Sequence, residues 1–142
     1  MKILLVEDCK ITILSIKKTL SKQLDKTTVL VAENGQLALN LLNSLDADSE
    51  LPCFILLDLN MPVMNGIEFL SIIKKDDRLK QIPIVIHSTS SNKTDFFKCK
   101  SLGIAGYYIK HVDYNVYKNN IITIVNYWRN SFNPFCKLSL II

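Results

Sequence analysis

Short apolar runs recur along the chain. Most of them lack the alternation of apolar and polar residues that is typical of a strand with one solvent-exposed face. The runs cover residues 3–6, 28–32, 54–57, 84–86 and 105–109. Continuous apolar stretches of this length are typical of strands that are covered on both faces, as in a parallel sheet. The pattern therefore predicts buried strands at these places.

Segments with helical spacing lie between the runs. Their apolar stripes are Ile13, Ile16, Leu20 and Leu24; Leu37, Leu41, Leu42 and Leu45; Ile67, Leu70 and Ile73; and Tyr117, Ile121, Ile124, Val125, Trp128 and Phe132. Asn92 or Thr94 is suited to cap a fourth helix that ends near Gly103, and Asp113 is suited to cap the fifth. The chain therefore alternates strands and helices.

This alternation predicts an α/β fold, a doubly wound parallel sheet with helices on both faces, because right-handed crossovers place helices on either side. We expect five strands in the flavodoxin-like order 2-1-3-4-5. Ligands of such sheets bind outside the carboxyl ends of the strands, in the crevice between strands one and three.

The length of 142 residues fits one domain, which we place at residues 1–131, followed by a C-terminal extension at 132–142. The composition, 49% hydrophobic and 21% charged, is that of a soluble globular protein. The apolar start is interrupted by Glu7 and Asp8, and the closing run 138–142 is far shorter than a membrane span. We expect a cytoplasmic protein without membrane association.

Charge and cysteine usage exclude several other classes. The net charge is +4, but Arg78 and Arg129 are the only arginines and the lysines are scattered, so nucleic-acid binding is not indicated. The cysteines, which are Cys9, Cys53, Cys99 and Cys136, form no C-x-x-C pair. Their spacing predicts reduced thiols rather than a zinc site or a disulfide framework.

Polar side chains follow four of the predicted strands. Glu7 and Asp8 follow the first strand, Asp58 the third, Ser88 the fourth and Lys110 the fifth. Each has an ordinary structural explanation: helix capping for Glu7 and Asp8, an Asx turn for Asp58, a turn hydroxyl for Ser88 and a solvated amine for Lys110. The carboxyl ends of the strands meet at one edge, however, which favours a shared site.

Three carboxylates in one crevice repel one another unless a divalent cation neutralises them. Oxygen ligands without histidine or cysteine select Mg²⁺ or Mn²⁺, and Mg²⁺ keeps positions open for phosphate oxygens. Lys110 supplies a positive charge and Ser88 a hydroxyl for a phosphoryl group. We interpret Asp58 as a nucleophile that forms an aspartyl phosphate.

These motifs resemble those of the receiver domains of bacterial response regulators. The resemblance extends from Met1 to about Ser131 and rests on ILLVED at 3–8, ILLDLNMP at 55–62, NG at 65–66, PIVIHS at 83–88 and GYYIK at 106–110. It implies a receiver fold that takes a phosphoryl group from the phosphohistidine of a sensor kinase, and a signalling domain rather than an enzyme.

The resemblance also assigns roles to single residues. It implies that Glu7, Asp8 and Asp58 hold Mg²⁺ with the main-chain carbonyl of Asn60. It implies further that Asp58 is the phosphoacceptor, and that Ser88 contacts and Lys110 pairs with the phosphoryl group. Tyr107 is similar to the aromatic switch, which turns inward when the hydroxyl of residue 88 moves toward phosphate.

One position departs from the family pattern, which usually has a proline in cis linkage after the lysine. Here His111 follows Lys110. A cis bond before a non-proline residue costs about 2.5 to 4 kcal/mol, so we expect this bond to be trans. His87 and His111 are too isolated to be metal ligands; we expect His87 to pack or hydrogen-bond at the sheet and His111 to line a loop.

The few residues after the fifth helix predict an output through a partner protein. The last helix and tail carry Tyr127, Trp128, Phe132 and Phe135, more aromatic surface than one core stripe requires. These side chains either cover the domain's own sheet or form a contact surface. The tail resembles that of stand-alone regulators linked to phytochrome-type histidine kinases, which implies a homodimer through the last helix and the tail.

The same residues disfavour two other functions of proteins with this fold. A phosphatase with an aspartate nucleophile needs a second aspartate where Asn60 stands, and a flavin or nucleotide module needs a glycine-rich loop where Glu7 and Asp8 stand. A scaffold or sequestering module of the same fold, which works without phosphorylation, remains the alternative.

Overall fold

The computed structural model describes residues 1–23 and 26–133. Its strands are β1 (Lys2–Val6), β2 (Thr28–Ala32), β3 (Phe54–Leu57), β4 (Ile84–Ser88) and β5 (Gly106–Ile109), and its helices are α1 (Lys10–Gln23), α2 (Gly35–Ser44), α3 (Gly66–Ile73), α4 (Lys93–Leu102) and α5 (Tyr114–Asn130). A single turn of 3-10 helix at Asp48–Glu50, which the pattern did not predict, precedes β3.

The strands form one parallel sheet in the order β2-β1-β3-β4-β5, which confirms the predicted topology. Val6 of β1 is in register with Leu57 of β3, and Ser88 of β4 is in register with Ile109 of β5. The register brings the residues that follow these strands to one edge of the sheet.

Two apolar cores fill the space between the sheet and its helices. One contains Leu4, Val6, Ile55 and Leu57 together with buried side chains of α2, α3 and α4. The other contains Ile3, Leu5, Phe54 and Leu56 with side chains of α1 and α5. Alternate residues of a strand point to opposite faces, which assigns α1 and α5 to one face of the sheet and α2, α3 and α4 to the other.

The predicted caps and core stripes are largely confirmed. The side chains of Asn92 and Asp113 accept hydrogen bonds at the starts of α4 and α5, and Gly103 ends α4 in the left-handed conformation. Two assignments were wrong. Leu37 is 47% exposed because the buried face of α2 is formed by Ala38, Leu39 and Leu42 instead. Phe132 lies beyond the last residue of α5, Asn130.

The chain returns to the amino-terminal end of β3 after α5. The side-chain amide of Asn133 is buried and donates a hydrogen bond of 2.8 Å to the carbonyl of Cys53. Cys53 is disulfide-bonded, so the prediction of a reduced thiol was wrong there, since sequence spacing does not reveal which segments the fold brings together. Cys9 and Cys99 are free. Leu24, Phe135, Cys136 and the run 138–142 lie outside the described residues.

Candidate functional site

Three carboxylates converge at the carboxyl edge of the sheet. Glu7 and Asp8 directly follow β1, and Asp58 directly follows its neighbour β3. One ligand oxygen from each of the three lies within 4.8 Å of the others. The structure therefore brings together the three acids that the sequence analysis singled out.

Burial makes two of these carboxylates costly to ionise. Glu7 is 2% exposed and its pKa is raised, first by burial and also by the neighbouring Asp58, against the opposing effect of Lys110. The pKa of Asp58 is raised by burial, while Lys110 and nearby hydrogen-bond donors oppose the shift. Asp8 is exposed. The pocket thus holds more negative charge than its own donors compensate.

Lys110 is the cation of the pocket in the described part of the chain. Its Nζ lies 2.7 Å from Oε2 of Glu7 and 3.8 Å from Oδ2 of Asp58. The main-chain amide of Lys110 also donates to the carbonyl of Ser88, which continues the β4–β5 pairing beyond β5. The strand pairing thereby fixes the point from which the lysine side chain reaches the two acids.

Hydrogen-bond donors surround the Asp58 carboxylate. The amide of Leu59 donates to Oδ1 at 2.9 Å. The amide of Asn60 and the buried hydroxyl of Ser88 also act on the carboxylate as donors that lower its pKa, against the effect of burial. Ser88 therefore lies beside Asp58 at this edge of the sheet.

The backbone after β3 is closely packed against the start of α3. A Cβ atom on Gly66 would lie 2.3 Å from the carbonyl oxygen of Asp58, so only glycine fits. The side chain of Asn65 caps the helix by accepting from the amide of Glu68. Asn65 and Gly66 thus hold the loop that carries Asp58 against the sheet.

A cavity of about 490 Å³ opens beside the acids. Its lining includes Asp8, Asn60, Asn65 and Asp95. Asp95, which the sequence analysis missed, lies in the first turn of α4, behind the loop that follows β4. Asp95 follows the end of β4 by only a few residues, and this position in the sequence was the feature that indicated a place at the carboxyl edge of the sheet.

Ser90 is the second residue that the sequence did not indicate. It forms hydrogen bonds with three other residues at this edge of the sheet. Its amide donates to Oγ of Ser88 at 3.2 Å, and its hydroxyl donates to Oδ2 of Asp95 at 2.7 Å. Its carbonyl accepts a hydrogen bond of 2.8 Å from the hydroxyl of Tyr107. Tyr107, which also packs edge-on against Phe96, is therefore linked through Ser90 to the Ser88 hydroxyl.

The loop after Lys110 takes an ordinary backbone path. The peptide bond between Lys110 and His111 is trans, as predicted. His111 is exposed, and its Nδ1 accepts a hydrogen bond of 3.0 Å from the amide of Asp113. Lys110 still reaches the acids without the cis linkage that is usual in the family.

The donor set of the pocket fits a hard divalent cation. All three acids offer oxygen, two of them are buried with raised pKa values, and the third faces the cavity. Such a set suits Mg²⁺ or Mn²⁺ and leaves room for ligands from outside the protein.

Comparison with known proteins decides the family. Residues 3–122 match the sequence profile of the response regulator receiver domain. The chain belongs to this family. Receiver domains are the signalling domains of two-component response regulators, not classical enzymes, and they bind Mg²⁺ at an acidic pocket.

Two chemotaxis proteins that are similar to this receiver domain are also close to it in length. The chemotaxis protein CheY of Pseudomonas aeruginosa is 33% identical over 121 residues, which cover 85% of this chain and 93% of that protein. The chemotaxis protein CheY1 of Helicobacter pylori is 32% identical over 125 residues, which cover 88% of this chain and 97% of that protein.

Solved structures of phytochrome-linked regulators are also similar to this receiver domain. The phosphorylated cyanobacterial phytochrome response regulator RcpA has a TM-score of 0.85 at 33% identity, covering 94% of this chain and 97% of that chain. The Mn²⁺-bound form of the response regulator Rcp1 has a TM-score of 0.84 at 29% identity, covering 94% of this chain and 98% of that chain. Among the described residues, no helix combines the length and apolar character that crossing a bilayer requires.

Proposed function

We propose that this protein is a single-domain response regulator of a two-component phosphorelay, which accepts a phosphoryl group on Asp58 from a histidine kinase. The observation that carries the proposal is the convergence of Glu7, Asp8, Asp58 and Lys110 at one sheet edge. Membership of the receiver family supports it.

In the proposed reaction, a carboxylate oxygen of Asp58 attacks the phosphorus of a phosphohistidine. The new oxygen–phosphorus bond forms as the phosphorus–nitrogen bond breaks, and the imidazole leaves with the electron pair and takes up a proton. Glu7, Asp8, Asp58 and the Asn60 carbonyl would hold Mg²⁺, which would offset the negative charge of the transferring group. The transfer is complete once Asp58 carries the phosphoryl group, and the phosphohistidine is the only substrate that it requires.

The neighbouring groups have roles that follow from their contacts. Lys110 lies near enough to Asp58 to exchange its pairing with Glu7 for one with a phosphoryl oxygen. The Ser88 hydroxyl, which lies beside Asp58, donates to another phosphoryl oxygen. Ser90 is hydrogen-bonded to both Ser88 and Tyr107, so a movement of Ser88 is transmitted through Ser90 to Tyr107.

We also infer that the partners are a sensor histidine kinase of phytochrome type and a downstream protein in the cytoplasm. The similarity to RcpA supports the kinase type. A homodimer through α5 and the tail is part of the proposal, and the exposure of Tyr127 at 63% and Phe132 at 78% supports it. Trp128 instead stacks on Phe54 of the protein's own core, so this aromatic serves the fold.

Labelling with acetyl phosphate tests the phosphoacceptor. We expect Mg²⁺-dependent incorporation into the wild-type protein, none into Asp58→Asn, and normal incorporation into the control Asp46→Asn, which changes an exposed acid elsewhere. Equal labelling of the wild type and Asp58→Asn would refute the assignment. A folded protein that is not labelled at all would favour a scaffold that works without phosphorylation.

Sedimentation tests the dimer. The full-length protein is compared with one ending at Ser131, and we expect the shorter protein to sediment as a monomer where the longer one is a dimer. Equal masses would argue against a tail-mediated contact.

A further inference from the structure

Two buried polar groups next to the site have no hydrogen-bond partner within the described residues. They are Nε2 of His87 and the hydroxyl of Tyr117. His87 is 2% exposed and Tyr117 is 9% exposed. A buried polar atom that makes no hydrogen bond lowers stability, so such atoms in a folded protein call for an explanation.

The two residues lie on the face of the sheet that α5 covers. His87 precedes Ser88 in β4, and side chains alternate along a strand, so His87 points to the opposite face from Ser88. Val85, two residues before His87, belongs to the same core as Tyr117. The rings of His87 and Tyr117 are in contact, with centroids 5.1 Å apart.

The charges of the Glu7–Lys110 ion pair influence both side chains. Burial first, and the charge of Lys110 second, lower the pKa of His87 to about 4, so its imidazole is neutral near pH 7. Burial first, and the charge of Glu7 second, raise the pKa of Tyr117. Both side chains therefore lie within electrostatic reach of the Glu7–Lys110 pair.

Their chemistry allows them to pair with each other. A neutral imidazole presents one N–H donor and one acceptor nitrogen, and a tyrosine hydroxyl both donates and accepts. Both atoms lack a partner in the described part of this structure, so a small shift of β4 toward α5 that brings them together is favoured by the hydrogen bond it creates. The hydrogen-bonded arrangement of the pair would be a second state, distinct from the one in this structure.

We propose that His87 and Tyr117 are positioning residues that couple the phosphoacceptor pocket to α5, the tyrosine hydroxyl donating to Nε2 of His87 when Asp58 carries a phosphoryl group. This inference rests on the proposed function of Asp58. The movement of Ser88 toward the phosphoryl group carries the adjacent His87 with it. At the same time Lys110 leaves Glu7, which changes the charge that both rings face.

The coupling has a direct consequence for the distal end of α5. Tyr117 lies in the first half of the helix, and Tyr127 is exposed near its end. A displacement of Tyr117 is transmitted along the helix because its backbone hydrogen bonds make it rigid. This route runs on the opposite face of the sheet from Tyr107.

Nuclear magnetic resonance of the full chain tests the coupling, with beryllium fluoride and Mg²⁺ as the phosphoryl mimic. On adding the mimic to the wild type, we expect the Nε2 resonance of His87 to move toward that of a hydrogen-bond acceptor and the amides of α5 to shift. In Tyr117→Phe, which removes only the hydroxyl, we expect the His87 change to be lost and the α5 shifts to fall at least twofold. The shifts around Asp58 should persist.

Two further variants make the result decisive. Tyr108→Phe removes a hydroxyl from the β5 tyrosine that is in register with His87 on the same face of the sheet, and it should respond as the wild type does. His87→Leu, which tests the same contact from β4, should reproduce the loss seen in Tyr117→Phe. Unchanged α5 shifts in Tyr117→Phe or His87→Leu would overturn the coupling alone. Absence of any response near Asp58 in the wild type would overturn the proposed function as well.

Discussion

The ammonium group of Lys110 is 2.7 Å from the carboxylate of Glu7 but 3.8 Å from that of Asp58. The lysine therefore pairs with an acid that we assign to the metal site and leaves the proposed phosphoacceptor less closely paired. An incoming cation and the lysine compete for Glu7, because both are attracted to the same oxygen. The lysine is free to turn to a phosphoryl group only once that pairing is broken.

This competition predicts that Lys110→Met binds Mg²⁺ more tightly than the wild type. Removing a positive charge from the pocket should raise the affinity on the order of tenfold, equivalent to about 1.4 kcal/mol. Titration calorimetry at fixed ionic strength measures it. The control Lys98→Met changes an exposed lysine of α4 and should leave the affinity unchanged. Weaker binding by Lys110→Met would contradict the competition.

The raised pKa of Asp58 predicts that Asp58→Asn stabilises the metal-free protein at pH 7. Burial disfavours the charged carboxylate more than Lys110 and the hydrogen bonds favour it, and asparagine keeps the shape without the charge. Because the folded-state pKa is raised, the cost is present at neutral pH and disappears as the pH falls through that pKa. Thermal unfolding in EDTA at pH 7 and pH 4 should show the difference shrinking. A less stable Asp58→Asn at pH 7 would show that pairing outweighs burial.

Burial of neutral His87 predicts a loss of stability in mild acid. Its pKa is lowered from 6.5 to about 4, so the unfolded chain takes up the proton first as the pH falls. The contribution of His87 is complete above pH 6.5 and is lost between that pH and about 4, at roughly 1.4 kcal/mol per pH unit. Urea unfolding of the wild type and His87→Leu across this range isolates it, because the other groups titrate in both proteins. Parallel pH curves would contradict the prediction.

The close approach at Gly66 predicts a large effect of one methyl group. Gly66→Ala places Cβ 2.3 Å from the carbonyl of Asp58, and the main chain must move to relieve the clash. We expect a destabilisation of about 1–3 kcal/mol or more, together with weaker Mg²⁺ binding, since the displaced segment carries Asp58. Chemical unfolding and calorimetry measure the two effects.

Gly103 provides the matched control for that substitution. It has a φ of 92° and no atom within 4 Å of an added Cβ, so Gly103→Ala costs only the backbone strain, about 1 kcal/mol, and leaves the metal site intact. If both variants lost Mg²⁺ affinity equally, the effect would not come from the Asp58 contact.

The sequence predicted the helix caps and strands correctly because residues close together in the chain determine them. Asn92 and Asp113 cap helices through their own side chains, and uninterrupted apolar runs form strands wherever both faces are covered. Leu37 and Phe132 were misplaced because the buried face of a helix and its last turn depend on what packs against them. The disulfide of Cys53 was missed for the same reason.

For the site, the order of acids, hydroxyl and lysine along the chain was enough to predict which of these side chains meet, because parallel strands end at one edge of the sheet. Spacing along the chain did not reveal that Lys110 pairs with Glu7 in preference to Asp58, that Ser90 joins Ser88 to Tyr107, or that His87 lies against Tyr117. These are contacts between segments far apart in sequence, and differences of about an ångström decide them. Only the packing of β1, β4, β5 and α5 around one edge sets such distances.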